Sequence, residues 1–174
     1  MTTSDCVLPA PVSLELLQDA LVAANINPRT GLATDYLNHF NEMVMLLRLY
    51  PDSPDLREEI LGWEPRSYAD HFHQTGFRDK ALALDAYHAA PRPLVKMLDV
   101  LVAEMDTVLL EAQRTVAAGP DGCDTGTVLA ECADMVGILL NRAGALMNGH
   151  LDASDAAFEP DDAQAAIDSL FEGR

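Results

Sequence analysis

The sequence predicts an all-α protein, a helical bundle with a long helix hairpin and a C-terminal tail helix. Three observations carry this. Apolar residues recur at helical spacing along most of the chain. Pro, Gly and capping residues cut it into helix-sized pieces. No run alternates apolar and polar residues as a half-buried strand does. The 174 residues suit one domain large enough to bury a core without staples. We read residues 1–149 as the helical domain, 150–160 as an acidic linker and 161–174 as a separate tail.

The first helix is expected over 11–24, with Ser13 as cap and Leu14, Leu17 and Leu21 on one face. The run Asn27-Pro28-Arg29-Thr30-Gly31 breaks it as a turn. Thr34 is expected to cap a second helix reaching Tyr50, with Leu37, Phe40, Val44 and Leu47 inward and Pro51 stopping it. Ser53-Pro54-Asp55 starts a short helix that ends at Gly62: a cap, a Pro at the first position and an acid near the positive end. Ser67 starts another, ended by Gly76, and Asp79 caps a third over 80–90.

After Pro91 and Pro93 comes the longest periodic segment, 94–118. Leu94, Leu98, Leu101, Met105, Val108 and Ala112 keep one face. Gly119-Pro120-Asp121-Gly122 ends it. Thr125 or Thr127 opens a partner helix to Asn148, with Leu129, Cys132, Val136, Leu139, Ala143 and Leu146 inward. The short link predicts an antiparallel hairpin. Ala130, Gly137 and Gly144, seven apart, would let backbones approach closely, and a homodimer through the hairpin is possible.

Composition removes several function classes. The formal charge is −17, from 28 acids against 11 Lys and Arg. Phosphate recognition relies on those cations, so nucleic acid is excluded, and an anionic membrane surface is repelled in the same way. Partners with a basic patch, or metal cations, remain, beside the plainer reading that the charge keeps the protein soluble. Cys6, Cys123 and Cys132 are an odd number at no metal-like spacing, so a reducing compartment fits. The N-terminus carries no signal-peptide pattern and no stretch reaches bilayer length. The expected location is the cytoplasm.

Nucleotide-binding loops and nucleophile elbows are missing, and no cofactor is expected. His39 and Glu42, three apart on one helical face, are weak metal candidates. His71 and His73, beside Asp70, lie downstream but point about 200° apart on a helix. The expectation is a half-buried His39 with a hydrogen bond, two surface histidines and no metal. Asp35 and Asn38 form an acid-plus-amide pair on one face. Such a pair can hold a cation or a lysine with the acid and aim a water with the amide, as hydrolysis of an aspartyl-phosphate requires. Asp35 also suits the first turn of a helix. Trp63, Tyr68, Phe72, Phe77 and Tyr87 are expected to form a small satellite core, or less simply a ligand pocket.

Residues 163–173 read Ala-Gln-Ala-Ala-Ile-Asp-Ser-Leu-Phe-Glu-Gly. On a helix, Ala163, Ile167, Leu170 and Phe171 share one side, with Asp161, Asp162, Asp168 and Glu172 around it. An acidic amphipathic helix behind a linker suits a groove with basic edges. The segment resembles the response-regulator-binding peptide of flagellar switch proteins, in which the pattern is Ser-Gln-x-Glu-Ile-Asp-x-Leu-Leu. Gln164, Ile167, Asp168 and Leu170 match; Ala163, Ala166 and Phe171 replace the Ser, the Glu and the last Leu. Chemotaxis phosphatases of enteric type carry a related peptide after a helical hairpin and a linker, and the layout here is similar. The resemblance implies docking on a response-regulator receiver domain. It departs where that family sets an acid four residues before a catalytic Gln, since Leu109 precedes Gln113. The expectation is therefore a non-enzymatic regulator or adaptor. A receiver-domain phosphatase using Asp35 and Asn38 is the alternative, and a metal-binding bundle the remoter one.

Overall fold

The computed structural model describes residues 14–119 and 125–151. Cys6, Ser13, Cys123 and every residue of the tail motif lie outside them.

The described residues are helical, with seven α-helices: α1 (Leu14–Ala23), α2 (Asn38–Leu49), α3 (Arg57–Gly62), α4 (Tyr68–Gln74), α5 (Lys80–Ala89), α6 (Arg92–Ala118) and α7 (Thr125–Met147). Short 3-10 turns at Thr34–Leu37 and Pro54–Leu56 lead into α2 and α3. Among the described residues there is no strand; one isolated antiparallel bridge pairs Ile26 with Ala33. No helix of the described residues is long and apolar enough to cross a membrane.

The core forms where the periodic faces meet. The largest helix–helix contact joins α6 to α7, and the next joins α2 to α7. Leu98, Leu101, Met105, Val108 and Ala112 of α6 are buried, as are Leu129, Cys132, Val136, Leu139, Ala143 and Leu146 of α7. Leu94 is only half-buried at the start of that face.

Several expected boundaries move, each for a local reason. Thr34 does not cap α2: it lies inside the 3-10 turn, and α2 follows directly at Asn38. The long helix begins at Arg92, because Pro93 in its first turn needs no backbone donor there. Gly119 ends it in the left-handed region, at φ +86°. Ser67 caps α4 as expected, its hydroxyl accepting from the Asp70 amide at 3.1 Å. Asp79 holds the cap position of α5 without a capping bond; its carboxylate pairs with Arg78 instead.

The small-residue stripe of α7 does not mediate close helix approach. Ala130 is exposed, a Cβ at Gly137 would meet nothing within 4 Å, and one at Gly144 would face Leu37 at 3.8 Å rather than α6.

The turn after α1 is built as its residues suggest. The Asn27 carboxamide oxygen accepts from the amides of Arg29 and Thr30 at 2.8 and 3.2 Å. The Thr30 hydroxyl donates to the Met147 carbonyl at 2.6 Å, satisfying an orphan carbonyl at the end of α7. Gly31, at φ +71°, is required twice over. A Cβ there would lie 2.6 Å from the Ala86 carbonyl oxygen, so its absence lets the turn seat on α5.

Candidate functional site

The middle of the chain folds into short helices joined by extended links, and links need hydrogen-bond partners for their backbone. Aromatic side chains provide them. The Tyr36 hydroxyl donates to the Arg66 carbonyl at 2.6 Å, and the Tyr68 hydroxyl accepts from the Ala33 amide at 2.9 Å. The Trp63 indole donates to the His39 carbonyl at 3.2 Å. Burial raises both phenols, Tyr68 to about 12. These rings belong to the main core, with Phe77 and Tyr87 packed against it. The expected satellite core is thus corrected: Tyr36 and Phe40 bridge the aromatics to the bundle through edge contacts, and Trp63 joins them at Phe40.

Asp35 and Asn38 come together at the surface of this region. The Asn38 amide donates to one oxygen of Asp35 at 3.1 Å. The other Asp35 oxygen faces His71 Nε2 at 3.2 Å, with Asp35 one-third exposed and the imidazole 6% exposed. The carboxylate accepts from Nε2, while Nδ1 is buried without a partner. Behind the acid–amide pair therefore stands a buried imidazole that orients the carboxylate, while the Asn38 carbonyl oxygen is left over to accept from a water.

His39 plays a different part. Its ring stacks on Trp63 at 4.9 Å and 17°, and its Nε2 donates to the Glu64 carbonyl at 2.9 Å. Burial pushes its pKa down to about 4, Arg66 and His71 adding to that and the Glu64 carbonyl opposing it. The ring is neutral at pH 7 and serves as a hydrogen-bonded core residue.

The metal candidates are not brought together. Glu42 is exposed on α2 while His39 is buried against Glu64, and among the described residues no group of three or more His, Cys, Asp or Glu is placed to hold a metal. Of the two downstream histidines only His73 is exposed; His71, expected at the surface, is buried. The reason is its partner across the chain, Asp35, which no local spacing announces. Gln113 is also accounted for: its amide donates to the carbonyls of Ile60 and Trp63, both at 2.7 Å, closing the end of α3.

Two of the aromatics that could line a ligand pocket, Tyr68 and Tyr87, lie at an opening. A cavity of about 330 Å³ opens between Tyr36, Tyr68, Tyr87, Leu98, Asp99 and Asp106. One Asp106 oxygen is buried there without a partner, and burial raises its pKa to about 6. The aromatic residues were the available signal; the α6 acids beside them fall on no motif.

Gln164, Ile167, Asp168, Leu170 and Phe171 lie outside the described residues. Compared with known proteins, the chain matches no family model, no curated protein and no solved structure.

Proposed function

We propose that the chain is a regulatory or adaptor protein of two-component or chemotaxis signalling, which binds a response-regulator receiver domain through residues 161–174. The observation that carries this reading is the match at Gln164, Ile167, Asp168 and Leu170 behind an acidic linker. The body is the scaffold, with α6 and α7 running antiparallel as a hairpin. The short link at 119–124 and the mutual burial of the two periodic faces support that course. Ile167, Leu170 and Phe171 are the apolar anchors; Asp168 and Glu172 meet the basic edges of the partner's groove and set the association rate. A short peptide loses ordering entropy, so the affinity is on the order of micromolar.

Titration of a labelled 161–174 peptide against phosphorylated and unphosphorylated receiver domains of the same cell tests this. Binding at about micromolar Kd, tighter with the phosphoryl group and abolished by Ile167→Ala with Phe171→Ala, supports it. No binding below about a millimolar ends it.

One observation favours a second, catalytic reading. Asp35 and Asn38 are paired at the surface with His71 bracing the acid. In a receiver-domain phosphatase, Asn38 would aim a water at the phosphorus while Asp35 holds a lysine or cation of the receiver. A new P–O bond to the water oxygen forms as the bond to the aspartyl carboxylate breaks, and that carboxylate leaves. Phosphate release from a phosphorylated receiver, accelerated by the chain and lost in Asn38→Ala, is the measurement. Equal release with and without the chain removes this reading and leaves the adaptor.

A further inference from the structure

A shallow groove of about 260 Å³ runs between α1, the 28–31 turn and α5. Leu17 and Leu21 form one wall, Pro28 and Arg29 one end, and Leu82 and Ala86 the other wall. The lining is predominantly apolar, yet Leu17 is 44% exposed.

The end of the described chain lies beside this groove. Gly149 sits against the turn: a Cβ there would be 3.5 Å from the Thr30 methyl and 3.7 Å from the Arg29 guanidinium carbon. The Thr30 bond to Met147 holds the end of α7 on the same turn. Beyond Leu151, residues 152–160 can span about 30 Å if extended, ample to return the following segment to a groove so near. In sequence that segment, 161–172, carries Ile167, Leu170 and Phe171 at the spacing of one helical side, and acids at Asp161, Asp162, Asp168 and Glu172. The groove offers apolar walls and, at the end nearest α7, the exposed guanidinium of Arg29. Asp85 in the α5 wall repels acids, so the acidic side of the segment is directed toward Arg29.

We propose that the groove between α1, the 28–31 turn and α5 is the resting dock of the chain's own residues 161–172. This rests on the reading of those residues as a docking helix and adds its regulation. The anchors that seize a receiver are held against the body until the partner competes for them, so the full chain binds more weakly than a chain with a spoiled groove.

The test uses the full chain with a photo-crosslinking benzophenone side chain at position 171. Irradiated alone, it should give intramolecular crosslinks to Leu17, Leu82 or Ala86, lost in Leu17→Asp. Leu17 is exposed enough for that variant to fold; Arg29→Glu, at an exposed residue, serves if it does not, and should likewise weaken the crosslink. Crosslinks that map to another face, to residues 1–13 or to a second copy, or that persist in both variants, overturn the dock, as does an absence of crosslinks. No receiver is present in this arm, so it decides the dock even if the signalling reading fails. In the second arm, Leu17→Asp should raise the full chain's affinity for the receiver about tenfold. Equal affinity of the two chains would show that the dock does not regulate.

Discussion

The α6–α7 pair and the 33–74 region fill one core by different means. Along α6 and α7 the interior is nearly all aliphatic: Leu98, Leu101, Met105, Val108 and Leu109 against Leu129, Val136, Leu139 and Leu146. Two long helices satisfy most of their own backbone, so the side chains need only fill space. Between residues 33 and 74 the chain leaves the helix repeatedly, and each departure exposes carbonyls and amides. There the interior adds to Phe40, Met43, Leu47, Ile60 and Phe72 a set of Tyr36, His39, Trp63, Tyr68 and His71, whose polar tips reach Arg66, Glu64, His39, Ala33 and Asp35. Apolar bodies with polar ends let the same residues build a core and hold a link in place.

Mutations should separate the two designs. The largest effects belong to the long pair. Leu101→Asp or Leu139→Asp should unfold the protein, because an unpaired carboxylate there costs several kcal/mol. Leu109→Ala, at a fully buried site, should cost about 2–5 kcal/mol in chemical denaturation. In the 33–74 region, Tyr36→Phe keeps the ring and removes only the bond to Arg66, so its cost should be about 1–2 kcal/mol. If Tyr36→Phe destabilises as much as Leu109→Ala, the contrast between shape and hydrogen bonding is wrong.

The same contrast explains what could be read in advance. Leu129, Cys132, Val136, Leu139, Ala143 and Leu146 all lie inward as their spacing predicts, because a helix repeats every 3.6 residues whatever its surroundings. The turn at 27–31 was legible because Asn27, Pro28 and Gly31 each impose a local geometry. The site was only half legible. The spacing of Asp35 and Asn38 places them together, but the burial of His71 depends on a partner 36 residues away. Tyr36 stayed invisible because its role is set by the Arg66 carbonyl, across a link with no periodicity. Nor could the repeat of Ala130, Gly137 and Gly144 say that no backbone approaches there, since small residues permit contact without producing it.

Acid should strain the aromatic region before the long pair. His39 has its pKa lowered to about 4 from an ordinary 6.5. A group depressed in this way adds stability that is present above pH 6.5 and is lost as pH falls toward 4, since the unfolded chain takes up the proton first. His39→Phe should therefore flatten the decline of Tm between pH 6.5 and 4 relative to the unsubstituted chain, whatever its effect at pH 7. An identical pH slope in both proteins would mean that the imidazole is hydrated in the fold.

Asp106 offers the smallest effect and the opposite sign. It sits on α6 but faces the aromatic cavity with Tyr36 and Tyr87, so it belongs to both regions. Burial raises its pKa to about 6 from an ordinary 3.8, which means that the fold prefers the protonated acid. That preference supports the fold below pH 3.8 and is lost as pH rises through 6; above it, an ionised and partly dehydrated carboxylate works against the fold. Asp106→Asn keeps the shape and removes the charge. It should raise Tm at pH 7 and leave it unchanged near pH 3.5. Because the group is only half-buried, water screens much of the penalty, and the gain should be about 1–3 °C rather than more. A fall in Tm at pH 7 would mean that the ionised carboxylate has a partner in solution, and that the cavity face of α6 holds a charge the fold uses.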